Sequence, residues 1–125
     1  GGTWKDAMTV RQGYALNDPL IAVPMTPHDG PLPAERSFIS TDANNVVISD
    51  VKQAEDDASM IIRFYEWAGK AGNVGIRLPR AAKAAYDVNL MEKGEKQLTL
   101  SSNGSEVRVP TKPYEIRTIR VEFAQ

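Results

Sequence analysis

From Phe38 onward the chain is a succession of short segments rich in Val, Ile, Tyr and Phe, each closed by turn residues. That pattern commits most of it to an antiparallel sandwich or barrel. Side chains alternate faces along a strand, so each segment also names its own core face. We read an all-β fold, an antiparallel β-sandwich of immunoglobulin-like arrangement with one short N-terminal helix. At 125 residues the chain is long enough for one real core.

The spacing predicts strands over 37–41, 46–54, 59–67, 73–78, 83–91, 97–101, 106–109 and 114–123. In the third, Met60, Ile62 and Phe64 share the face assigned to the core, and Ile61, Arg63, Tyr65 and Trp67 share the other. Val74, Ile76 and Leu78 point inward with Gly75 and Arg77 outward, and Tyr86, Val88 and Leu90 are assigned to the core. Asn103-Gly104 best tolerates the positive φ angles of a type I′ hairpin and joins 97–101 to 106–109. In the last strand Tyr114 and Ile116 are out of phase with Ile119, Val121 and Phe123, which predicts a bulge near Arg117-Thr118.

The first 36 residues differ in kind. Trp4, Ala7, Met8, Tyr14 and Ala15 fall near one face of a helix over 3–17, with Thr3 and Asp6 as a capping pair and Asn17-Asp18-Pro19 as its stop. A short strand at Leu20 to Val23 and a connector stiffened by Pro24, Pro27, Pro31 and Pro33 follow. The domain organisation is therefore 1–36 as helix, short strand and connector, then 37–125 as the sandwich.

Fifteen basic against sixteen acidic residues leave a charge of −1, so no net field draws the domain to nucleic acid or an anionic membrane. Arg63, Arg77, Arg117 and Arg120 are spread over different strands without interleaved aromatics, which is no nucleic-acid stripe. No apolar run is long enough to span a bilayer. The absence of cysteine removes disulfides, thiolate nucleophiles and Cys-ligated zinc, and leaves the compartment open. The chain opens on Gly1-Gly2-Thr3 without a methionine and reads as a piece of a longer gene product.

Several blocks, in order, carry a resemblance. They are Leu16-Asn17 with Pro19-Leu20, Asn45-Val46-Val47-Ile48-Ser49 with Val51-Lys52 and Ala54-Glu55-Asp56, and Ile61-Ile62-Arg63-Phe64-Tyr65-Glu66 with Gly69. Asn89-Leu90-Met91-Glu92 and Lys112-Pro113-Tyr114-Glu115-Ile116-Arg117-Thr118-Ile119 complete the series. Together they resemble the C-terminal β-sandwich region of glycoside hydrolase family 38, the α-mannosidases. The resemblance implies a retaining, zinc-dependent parent whose nucleophilic aspartate and zinc ligands lie in an N-terminal domain, so this fragment contributes no catalytic residue. The chemistry of the chain agrees: a catalytic zinc needs about three protein ligands, and His28 is the only histidine.

The residues that invite functional readings each have a plainer one. His28 and Asp29 could form a loop at the rim of the parent's sugar pocket, or a surface turn in the connector. Tyr65 and Trp67, two apart on the face away from the core, could stack on sugar rings. The favoured reading has that face packed against the missing catalytic domain. Glu55-Asp56-Asp57 lacks the alternating acidic spacing of a calcium loop and reads as a solvated turn. Asn103-Gly104-Ser105 matches a glycosylation sequon, but the turn alone explains it. The expected partners are the parent's catalytic and central domains and mannose-containing glycans. The rival function is an autonomous carbohydrate-binding module.

Overall fold

The computed structural model describes residues 1–94 and 96–124, which fall into two compact units divided between Ser37 and Phe38. In the first, the only regular element is α1 (Thr9–Asn17). Thr3 and Asp6 do pair reciprocally: the Thr3 amide and hydroxyl donate to Asp6 Oδ2 at 2.7 and 2.8 Å, and the Asp6 amide donates to Thr3 Oγ1 at 3.3 Å. That box closes a separate turn, because Met8, at φ 52°, breaks the chain before the helix starts. The expected strand at Leu20 to Val23 is not formed. Leu20, Ile21 and Val23 are exposed and belong to no strand, so no neighbouring ladder takes up their backbone groups.

The second unit is a two-sheet sandwich. Its strands are β1 (Ser40–Thr41), β2 (Val46–Gln53), β3 (Met60–Glu66), β4 (Gly72–Arg77), β5 (Ala82–Val88), β6 (Lys96–Gln97), β7 (Thr99–Leu100), β8 (Glu106–Thr111) and β9 (Ile116–Phe123). One sheet has the order β1-β4-β8-β7, the other β2-β3-β9-β5-β6, and every pairing is antiparallel. Ile62, Phe64, Ile119, Val121 and Ala85 from the larger sheet pack against Val74, Ile76, Val107 and Val109 from the smaller. The alternation thus holds where a strand has one buried face: Ile62 and Phe64 are fully buried, as is the Val74-Ile76-Leu78 series.

Five local expectations are corrected. The segment expected as one strand over 97–101 is two short strands in different sheets. Lys96–Gln97 pairs with β5, Thr99–Leu100 pairs with β8, and Leu98 is buried between them in the core. A strand that changes sheets closes this side of the sandwich, and period-2 spacing alone does not reveal the change. The Asn103-Gly104 turn is not type I′, for Asn103 is not at positive φ. It is a wider loop in which the Gly104 amide donates to the Ser101 carbonyl at 2.8 Å and the Ser101 amide to the Glu106 carbonyl at 2.8 Å. Asn103 Oδ1 accepts from the Ser105 amide and from the Ser101 and Ser105 hydroxyls.

No bulge interrupts Arg117-Thr118, where β9 pairs with β3 in continuous register from Ile116 to Val121. Tyr114 lies outside the strand at φ 57°, and Ile116 points away from the core, so the apparent change of phase is a turn followed by an outward side chain. The register shifts fall instead between Ile48 and Asp50 in β2 and between Ala82 and Ala84 in β5. Finally, β5 turns Ala85 to the core in place of Tyr86, and Leu90 lies beyond the strand with 60% of its surface exposed. Gly75, assigned outward, is buried beneath an ion pair: Asp42 accepts its amide at 2.8 Å and binds Arg108 at 2.7 Å.

Candidate functional site

In β3 the same phase that buries Ile62 and Phe64 carries on to Glu66, which places a carboxylate on the core side of the sandwich end. Only 2% of Glu66 is exposed. A buried carboxylate is tolerated when donors replace its water. Here Oε1 accepts from Asn45 Nδ2 at 2.8 Å and from the Ala68 amide at 2.7 Å, and Oε2 accepts from the amides of Gly69 at 2.8 Å and Tyr114 at 2.9 Å. Burial pushes the carboxyl pKa upward, but the hydrogen bonds from Tyr114, Asn45, Ala68 and Lys70 outweigh it and bring the value down to about 2.

The donors come from three loops distant in sequence: the entry to β2, the turn after β3 and the turn before β9. Glu66 therefore fixes one end of the molecule. Its backbone joins in, with the Glu66 amide donating to the Glu115 carbonyl at 3.0 Å and the Trp67 amide to the Asn45 carbonyl at 3.0 Å. Tyr114 is held in a left-handed conformation that non-glycine residues rarely adopt. Its ring lies so near Gly69, itself at φ 76°, that a Cβ there would sit 2.6 Å from the Tyr114 hydroxyl oxygen. Every oxygen of Glu66 is spent on fixed donors of its own chain, so the group holds loops together and is not poised to exchange a proton with a substrate.

A second anchored loop crosses the outer face of the five-stranded sheet. After β5, Asn89 Oδ1 accepts the amides of Met91 at 2.9 Å and Lys93 at 3.0 Å, and Glu92 sits at φ 62°. The Glu92 carboxylate reaches the end of β2 and the turn after it, binding Lys52 at 2.7 Å and the Glu55 amide at 2.9 Å. The Lys52 hydrogen bond is the main cause holding the Glu92 pKa below its usual value. Arg63 donates to the Leu90 carbonyl at 3.4 Å from beneath. The acidic turn is neutralised by its own chain, with Glu55 on Lys52 and Asp56 on Lys93. Among the described residues, no group of three or more His, Cys, Asp or Glu side chains could hold a metal ion.

The residues singled out for sugar contact do not form an exposed aromatic pair. Trp67 is only 7% exposed and Tyr65 is half-buried. Trp67 has already left β3, which ends at Glu66, so strand alternation no longer decides its direction. His28 and Asp29 are exposed in the first unit, with His28 Nδ1 2.9 Å from the Thr26 carbonyl oxygen. The Ile61-Ile62-Arg63-Phe64-Tyr65-Glu66 block does not by itself give Glu66 a role. Its phase with Ile62 and Phe64 is the signal that finds it, since an acid on the core face requires partners.

The residues that meet at Glu66 fall within one family match. The model of the glycosyl hydrolases family 38 C-terminal beta sandwich domain matches residues 45–119. The chain belongs to this family. Its curated relatives include alpha-mannosidase G of Dictyostelium discoideum, 26% identical over 128 aligned positions that take in 95% of this chain. Alpha-mannosidase 2C1 of Homo sapiens is 26% identical over 121 positions, and that of Mus musculus 25% over 122, each taking in 94% of this chain. This family 38 sandwich domain spans only 11% to 12% of those relatives' own lengths.

Proposed function

We propose that this chain is the non-catalytic C-terminal sandwich of an α-mannosidase, packed against and supporting a catalytic part formed elsewhere in a longer polypeptide. The observation that carries the reading is the family match over 45–119, alongside relatives called alpha-mannosidases of whose length the alignment with this chain takes in about a ninth. The chemistry of the chain supports it. A retaining glycosidase needs two carboxyl groups about 5 Å apart across the sugar, whereas the most perturbed carboxyl here, Glu66, is closed off by the Asn45 side chain and the amides of Ala68, Gly69 and Tyr114. The zinc implied by the resemblance finds no fitting donor set among the described residues and would be held by the catalytic part.

The test is direct. The isolated chain, supplied with zinc and an aryl α-mannoside, should release no more product than buffer. Sustained turnover that is abolished by substitutions in this chain would overturn the reading. Titration calorimetry with mannose and mannobiose addresses the rival binding-module function. The burial of Trp67 predicts no heat of binding.

A further inference from the structure

We propose that the cleft between the Asn89–Lys93 loop and the start of β9 is the seat for an apolar side chain from the remainder of the mannosidase polypeptide. This rests on the supporting role just described and names the surface that performs it. Of the large apolar side chains exposed in the sandwich, Leu90 (60%), Met91 (76%), Tyr114 (63%) and Ile116 (61%) lie in or beside the two anchored turns. Phe38 and Val51 are the others among the described residues. Leu90, Ile116 and Val88 supply the apolar side of one cleft of about 410 Å³, and Thr118, Asn89, Lys93 and the Asp87–Arg117 pair, bound at 2.8 Å, supply its polar side.

Exposed apolar groups clustered around a concavity mark interaction sites, whereas scattered ones carry no such meaning. This cluster is also rigidly presented. Each flanking turn contains a non-glycine residue at positive φ, Glu92 and Tyr114, and such backbones persist only where their surroundings enforce them. The enforcing groups are the Glu92 carboxylate on Lys52 and the Glu66 carboxylate on the Tyr114 amide. By contrast, the outer face of the smaller sheet carries Asp42, Glu106 and Arg108 in ion pairs.

The occupant follows from the relatives: nearly nine-tenths of each lies outside the matched region. A tethered neighbour of that size is present at high effective concentration.

The chain has no cysteine of its own, so single cysteines can report on the face. L90C and I116C, with N73C on the smaller sheet as control, would be alkylated in the isolated chain and in the full-length polypeptide. Rates would be read by peptide mass spectrometry. We expect L90C and I116C to react at least ~10-fold more slowly in the full-length protein, with N73C changing little, as burial protects a site in proportion to how rarely it opens. Equal rates at L90C and I116C in the two contexts would overturn the assignment of this face. Deleting the chain from the full-length protein tests the supporting role separately, since intact turnover would remove that reading whatever the labelling shows.

Discussion

Glu66 carries the most distinctive chemistry of any single residue. Its carboxyl titrates near 2 in the folded chain against an ordinary value of 4.5. A depressed folded pKa contributes stability that is complete above the unfolded value and is lost as pH falls through the folded one. The linkage is worth roughly 3 kcal/mol, and it should disappear between about pH 4.5 and pH 2. E66Q places an amide NH₂ among converging N–H donors and should cost about 2 to 4 kcal/mol in urea unfolding at pH 7, with a flatter acid limb. An E66Q chain with wild-type stability and acid response would refute this role. Gly104 gives a second prediction: it lies at φ 68°, and a Cβ would stand 2.7 Å from the Ala82 carbonyl oxygen. G104A should cost more than ~1 kcal/mol by thermal unfolding. The sequence named that glycine for its φ but not for its closeness to Ala82, because the contact joins distant segments. Trp67 escapes the alternation for a related reason, since alternation applies only while the strand lasts.

Among the elements, strands with one face in the core were legible, and those whose burial depends on something crossing them were not. Ile61 stands opposite the core face yet is 1% exposed. Its cross-strand neighbours are Lys52, bound to Glu92 of the crossing loop, and Arg120, whose guanidinium lies 5.1 Å from the centre of the Tyr86 ring. No period in residues 59–67 encodes that cover. The sheet change at Leu98 was hidden in the same way, because both halves of 97–101 read as one strand. The crossing loop yields a prediction at this scale. N89A removes the acceptor for the Met91 and Lys93 amides and should cost ~1 kcal/mol, with faster hydrogen exchange at those two amides and unchanged exchange in β3. K93A removes only an exposed ion pair with Asp56 and should change stability by less than ~0.5 kcal/mol. If K93A cost more than N89A in chemical unfolding, the loop would be held by charge and not by its Asn89 turn.

At the scale of the whole molecule, the core is confined to the second unit, and no described residue before Phe38 is buried. Residues 38–125 alone should therefore unfold cooperatively within about 2 °C of the complete chain, and a larger fall in Tm would show that the first unit contributes to the fold. The candidate site was legible in part: the blocks quoted for the resemblance contain Asn45, Glu66, Gly69 and Tyr114, but only the folded chain brings them together around one carboxylate. The cleft above the larger sheet is not legible in the sequence, since the spacing puts Leu90 in the core and Ile116 in a bulged strand. The account's central claim is that this sandwich supports a catalytic part without taking part in the chemistry. It is tested most directly by hydrolysis of an aryl α-mannoside by the full-length polypeptide with and without residues 38–125. We predict that the deletion abolishes turnover while the excised chain has none of its own, and undiminished turnover by the deleted protein would contradict the claim.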